Sequence, residues 1–158
     1  MYESLWGNTA AIARAVAEGL GDDARALHTD EATADALAGI ELIVAGAPLL
    51  GFSLPTEQML AAQGDAMPAP PKPADISHPS MRSWLAALPA GKGRSAAFET
   101  RIWWSPGSAA KTILTGLEAA GYAAIERERF MVTGRYGPLK DGEIERARAW
   151  GAKLASAR

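Results

Sequence analysis

The sequence predicts an α/β domain built on a doubly wound parallel sheet, on three observations. Stretches of strand character alternate with stretches of helical periodicity along the chain. The clearest strand, Leu42-Ile43-Val44-Ala45, is continuously apolar, as expected of a strand covered on both faces. The 158 residues suit one domain with one core.

From Asn8 to Leu20 the spacing predicts a helix. Ile12, Val16 and Leu20 recur every four residues with Ala13 and Ala17 beside them, and Gly19 and Gly21 mark the end. Arg25 to Thr29 is a short strand candidate and Ala34 to Leu37 a helical turn. The strand at Glu41–Ala47 is stopped by Pro48. The stretch after it, with Pro68, Pro70, Pro71, Pro73 and Pro79, reads as an irregular surface loop. Ser80 to Leu88 is a short helix turning Trp84, Leu85 and Leu88 inward. Arg94 to Phe98 is a second buried strand. Ser105-Pro106 reads as a helix start, with Ile113, Leu114 and Leu117 as the apolar face and Gly121 as the end. Tyr122 to Val132 reads as an interrupted strand, because Glu126, Arg127, Glu128 and Arg129 are unusual in a sheet centre. Gly134 to Pro138 is a turn, and Asp141 to Ala155 a last helix with Ile144, Ala147, Trp150 and Leu154 on one stripe. No internal repeat is visible.

Composition narrows the function classes. Hydrophobic residues at 48% and charged residues at 22% describe a globular chain rather than a disordered one. A formal net charge of −2 argues against a general nucleic-acid or polybasic membrane binder. The absence of cysteine excludes disulfides and thiol chemistry. No signal peptide opens the chain and no apolar run approaches the ~20 residues of a membrane helix, so the expected location is cytoplasmic.

In a doubly wound sheet, ligands sit outside the carboxyl ends of the strands. The segments to read for chemistry are therefore Tyr2–Thr9, Ala47–Phe52 and Glu99–Ser108. Ser4-Leu5-Trp6-Gly7-Asn8-Thr9 runs straight into the first helix. A helix N-terminus offers unpaired N–H groups and positive dipole potential. Ser4 and Thr9 add hydroxyl donors, Gly7 allows close backbone approach and Asn8 offers an amide. No lysine lies in the loop, and the spacing is not that of an ATP-binding P-loop. Two readings follow: a phosphate held by neutral donors and the helix dipole, or a Ser/Asn-capped helix after a tight turn.

These residues, with Ile12-Ala13 and Ala17-Glu18-Gly19-Leu20 behind them, resemble the opening of the flavodoxin family, whose phosphate loop runs Thr/Ser-x-Thr-Gly-Asn-Thr. Ser4, Gly7, Asn8 and Thr9 match it, while Trp6 stands where a hydroxyl residue is usual. Ile43-Val44-Ala45-Gly46-Ala47-Pro48 is similar to the family's third strand and the start of its first flavin-ring loop. Phe98-Glu99-Thr100-Arg101 is similar to the strand and loop closing the other side of the ring. Gly137-Pro138-Leu139 and Glu143–Ala147 resemble the ending of short bacterial flavodoxin-domain proteins.

The resemblance implies a flavodoxin-like fold and FMN as cofactor. It implies contacts from Ser4, Leu5, Trp6, Gly7, Asn8 and Thr9 to the phosphate, and from Pro48, Leu49, Leu50, Thr100, Arg101 and Trp103 to the ring. The family also places a hydrophobic central strand directly before the phosphate loop. Here almost nothing precedes Tyr2, so that strand is expected to be truncated, with the true start upstream or another segment in the gap. The ring loop Pro48–Phe52 is apolar where relatives carry polar groups. Trp103 and Trp104 either stack on the flavin or pack over the sheet end or against a partner. Arg101 either neutralises flavin N1 or pairs with Glu99.

Other constellations carry no chemistry at this level. His28 and His78 lack ligand spacing, so no metal site is expected. Glu57, Asp65 and Asp75 show no paired-carboxylate logic, and Trp84 and Trp150 read as core. The expected function is FMN-dependent electron transfer with a redox partner protein or a small-molecule acceptor. A small FMN-dependent flavin or quinone reductase lies within the same reading, although no residue reads as a catalytic acid or base. The alternative is a flavodoxin-like module that has lost FMN and serves in binding or regulation. No nucleic-acid or membrane partner is expected, and the oligomeric state is open.

Overall fold

A computed structural model describes residues 1–157. Three strands, β1 (Leu42–Pro48), β2 (Gly93–Arg101) and β3 (Tyr122–Met131), pair in that order, all parallel. Helices α1 (Asn8–Leu20), α2 (Glu57–Ala61), α3 (Met81–Ala87), α4 (Ala109–Ala119) and α5 (Glu143–Ser156) complete the element order. Successive residues of each strand face opposite layers. Val44, Ala96 and Phe98 meet Ile12, Val16, Trp150 and Leu154 of α1 and α5. Ile43, Ala45 and Ala97 meet Met81, Trp84, Ile113 and Leu117 of α3 and α4 on the other face. This is the doubly wound parallel sheet the sequence predicts.

The chain start fills part of the central gap. Tyr2 forms parallel bridges with both His28 and Gly46. Its N–H donates to the Leu27 carbonyl at 2.9 Å, and the Glu3 N–H donates to the Gly46 carbonyl at 3.0 Å. The Met1 amine donates to the Val44 carbonyl at 2.6 Å. Residues 1–3 thus stand where the last rungs of a central strand belong. Arg25–Thr29 supplies the flanking bridge at His28 without forming a named strand.

Several expected boundaries move, each for a local reason. Pro48 closes β1 instead of stopping it one residue earlier. The stretch after it is not wholly irregular. Glu57–Ala61 is helical and Ala62–Asp65 is a 3₁₀ turn, because no proline lies between Pro55 and Pro68 and the Thr56 side chain caps the Met59 N–H. β2 runs on to Arg101, since the buried carboxylate of Glu99 is fully partnered. α4 starts after Ser108, whose hydroxyl accepts the Lys111 N–H, rather than at Ser105-Pro106. β3 is continuous, with one register shift opposite Ser95/Ala96. Its charges are tolerated because β3 pairs on one side only and most of the strand is exposed. Glu126 pairs with Lys153 at 2.7 Å and Glu128 with Arg146 at 3.3 Å.

Candidate functional site

The loop from Ser4 into α1 is held from within. Gly7 caps the helix at φ 95, a left-handed conformation that favours glycine. The Ser4 hydroxyl accepts the N–H groups of Gly7 (3.1 Å) and Ala10 (3.2 Å), so Ser4 shapes the loop from behind. The N–H groups of Asn8 and Thr9 then have no protein acceptor among the described residues. Both stand at the positive end of α1, the arrangement that favours an anion. Thr9 is buried, its hydroxyl 2.8 Å from that of Thr100 at the end of β2. The Asn8 side-chain amide donates to the Tyr136 carbonyl at 3.0 Å. Trp6 meets the Tyr136 ring edge-to-face, 4.8 Å between centroids, and its indole N–H is buried without a partner.

A cleft of about 290 Å³ opens at this end of the sheet. Leu5, Trp6, Asn8 and Thr9 form one wall, Pro48, Leu49 and Leu50 a second, and Thr100 and Arg101 a third. Nine of the twelve residues expected from sequence therefore share one cavity. Ser4 and Gly7 lie on the far side of the loop, facing a second hollow. Trp103 is 74% exposed and does not line the cleft; Trp104 does.

The Arg101 guanidinium is buried and lies 2.8 Å from Glu99 Oε1 while donating to the Gly107 carbonyl at 3.0 Å. Of the two sequence readings for Arg101, the ion pair with Glu99 is the one the structure contains. Glu99 also accepts the Ser108 hydroxyl and the Ala110 N–H, both at 2.8 Å, which ties the 102–108 loop to the base of α4. Across the cleft, Leu50 and Ser53 exchange backbone bonds at 3.0 and 3.2 Å, making a tight turn with Phe52 at its tip, 58% exposed and at φ 71.

Sequence reasoning missed the long-range members. Val132 and Arg135 close the cleft from the loop after β3, and the Lys72 ammonium reaches the Gly7 side of the Ser4–Thr9 loop. No short motif marks them, since each arrives through chain folding. It also missed a cluster in the second hollow. There the rings of His28 and His78 stack with centroids 3.5 Å apart. Burial, and after it the neighbouring His78, holds His28 below the usual histidine range.

No protein-family model matches the sequence, and no curated protein matches it. Solved structures do resemble it. An archaeal flavodoxin superposes with a TM-score of 0.63 at 19% identity, covering 99% of this chain and 94% of its own. Oxidised flavodoxin 1 from Bacillus cereus gives 0.65 at 17% identity, covering 99% and 95%. Two-electron reduced flavodoxin from Megasphaera elsdenii gives 0.58 at 18%, covering 96% of each chain. Identities this low speak for architecture alone, and the architecture is that of flavodoxins: the chain has a flavodoxin-like α/β fold.

Proposed function

We propose that this chain binds FMN in the cleft beside α1 and acts as an electron carrier. The observation that carries the reading is the convergence of three loops at the carboxyl ends of the sheet, around a helix N-terminus with two free amide N–H groups. The donor set fits a phosphate monoester: the backbone N–H groups of Asn8 and Thr9, with Arg135 lining the same cleft to balance its charge. The orphaned Trp6 indole N–H is a further donor at the cleft wall. The apolar turn Pro48–Leu50 and the Trp104 ring suit the faces of a flat, conjugated ring system. FMN supplies the redox chemistry when bound; the protein binds it, orients it and sets its exposure to water. Among the described residues no carboxylate or histidine other than the Arg101-paired Glu99 stands beside the cleft, and this favours electron transfer over substrate turnover. The reading carries a redox partner protein or a small-molecule acceptor, and cytoplasmic action.

One observation favours the rival reading of a binding module without flavin. Trp6 replaces a hydroxyl in the loop, and the Asn8 amide is already bonded to Tyr136. Titration of the protein with FMN decides between them. The expected result is saturable quenching of flavin fluorescence at one equivalent. Thr9→Ala and Asn8→Ala remove the bonds to Thr100 and Tyr136 that fix the two amide donors, and should each weaken binding by about 1 kcal/mol. Absence of quenching, or affinity unchanged from the parent in both variants, would overturn the assignment.

A further inference from the structure

On the other side of the phosphate loop, the second hollow gathers two histidines and two aspartates from segments fifty residues apart in sequence. His28 and Asp30 follow the bridge to Tyr2; Asp75 and His78 lie in the proline-rich segment. One ligating atom from each of His28, Asp75 and His78 lies within 4.8 Å of the others. We propose that this cluster is a binding site for a borderline divalent transition metal, Zn²⁺ in the first instance.

The ligand types fit. Two imidazoles and one carboxylate are a common zinc set, with bonds of about 2.0–2.2 Å and a fourth position left for water. Tetrahedral ligands at such bond lengths stand roughly 3.4 Å apart. His78 Nε2 and Asp75 Oδ2 are 3.6 Å apart, and the ligating atoms of all three residues lie within 4.8 Å of one another. The two imidazoles must turn out of their stack for their lone pairs to converge on one ion.

The surroundings orient each ligand as metal sites require. Asp75 Oδ1 accepts the Ser77 N–H at 3.1 Å and the Ser77 hydroxyl at 2.6 Å, so Oδ2 is the oxygen left over. Asp30 Oδ1 stands 3.0 Å from His78 Nδ1 and 3.9 Å from His28 Nδ1. The His78 contact is out of line, leaving that buried nitrogen without an aligned partner; a small turn of the Asp30 carboxylate completes the bond and directs Nε2 to the metal. His28 Nδ1 has a hydrogen-bond partner for either tautomer. With Nδ1 bare, it takes the Thr29 N–H at 2.9 Å. With Nδ1 protonated, it faces the Thr29 hydroxyl oxygen at 3.1 Å, which already donates its own hydrogen to the Pro79 carbonyl. A cation at Nε2 selects the second arrangement. Arg14 and Lys72 also line the hollow, opposed there by Asp30, Glu31 and Asp75.

The ion would fasten the proline-rich segment to the sheet edge beside the phosphate loop, because His28 and His78 belong to opposite sides of that seam. The test is calorimetric titration of the tag-free protein with Zn²⁺, repeated with His78→Ala and Asp75→Asn. The expected result is one equivalent bound, with affinity reduced roughly 100-fold in the first variant and 10-fold or more in the second. Bound Zn²⁺ should also slow proteolytic cleavage within residues 66–79 of the parent protein. Asp75 is half exposed, so its variant remains informative if His78→Ala fails to fold. No saturable uptake by the parent, or equal uptake by the parent and Asp75→Asn, overturns the proposal.

Discussion

At the scale of single residues, Glu3 is a carboxyl group buried against its charge. It is 4% exposed, and its Oε2 accepts the Met81 N–H at 2.9 Å. Burial pushes its carboxyl up from 4.5 to about 7; the Met81 bond opposes that shift, and the Glu57 charge adds to it. The folded chain therefore binds a proton that the unfolded chain has released between these two values. The stability this contributes is fully present below pH 4.5 and is lost as pH rises through 7. Glutamine keeps the acceptor for Met81 without the charge. Glu3→Gln should therefore exceed the parent in stability at pH 8 by about 3 kcal/mol. The difference should vanish below pH 4.5, which urea unfolding at the two pH values would show. A constant difference across that range would mean that packing, rather than ionisation, separates the two proteins.

At the scale of elements, the α1–α5 contact depends on two glycines. A methyl at Gly19 would lie 2.0 Å from the Arg148 carbonyl oxygen, and one at Gly151 would lie 2.3 Å from the Val16 carbonyl oxygen. In an exposed helix, glycine to alanine gains up to about 1 kcal/mol. Here the obstacle is backbone, which cannot swing aside, and overpacking costs about 1–3 kcal/mol. Gly151→Ala should lower the urea midpoint, whereas Gly64→Ala, with nothing within 4 Å, should leave it unchanged or raise it. The same elements show how far the sequence could be read. α1, β1 and α5 were legible because their apolar periodicity is local, and the Ser4–Thr9 turn into α1 because its residues are contiguous. The α2 helix was hidden by its brevity, five residues between Pro55 and the proline cluster that opens at Pro68. The extension of β2 was hidden because Glu99 and Arg101 look like loop residues until Ser108 and the Ala110 N–H arrive to satisfy them. The histidine cluster was illegible for the same reason: its members meet only through a parallel bridge and a folded-back proline segment.

At the scale of the whole molecule, the sheet has an unfilled centre. The bridge of Tyr2 to Gly46 sets a register in which no strand stands opposite Leu42, Ile43 and Val44. Parallel ladders alternate their bonding direction residue by residue, so the bonds of Ile43 go to β2 while Leu42 and the Val44 N–H face the vacant side. A cavity of about 530 Å³ lies there, lined by Val16 and Leu20 of α1, Leu42 and Val44 of β1, Phe98 of β2 and Leu154 of α5. The Met1 amine sits at its edge, and burial pushes it down to about 5. Adding a Val/Leu/Ile segment ahead of Met1 would turn that amine into an uncharged amide N–H, keeping the bond to Val44. Each apolar side chain buried in the gap contributes about 1.5–3 kcal/mol, and ordering each added residue costs about 1–2 kcal/mol of backbone entropy. Satisfying the open edges of Leu42 and Val44 and removing an amine that the fold holds deprotonated at neutral pH tip this near balance toward the extended form. The extended form should show a higher urea midpoint. It should also bind FMN more tightly, because the Ser4–Thr9 loop would be fed by a complete strand and lose less freedom on binding. Equal midpoints and equal affinities would mean that residues 1–3 already anchor the loop as firmly as a full strand could.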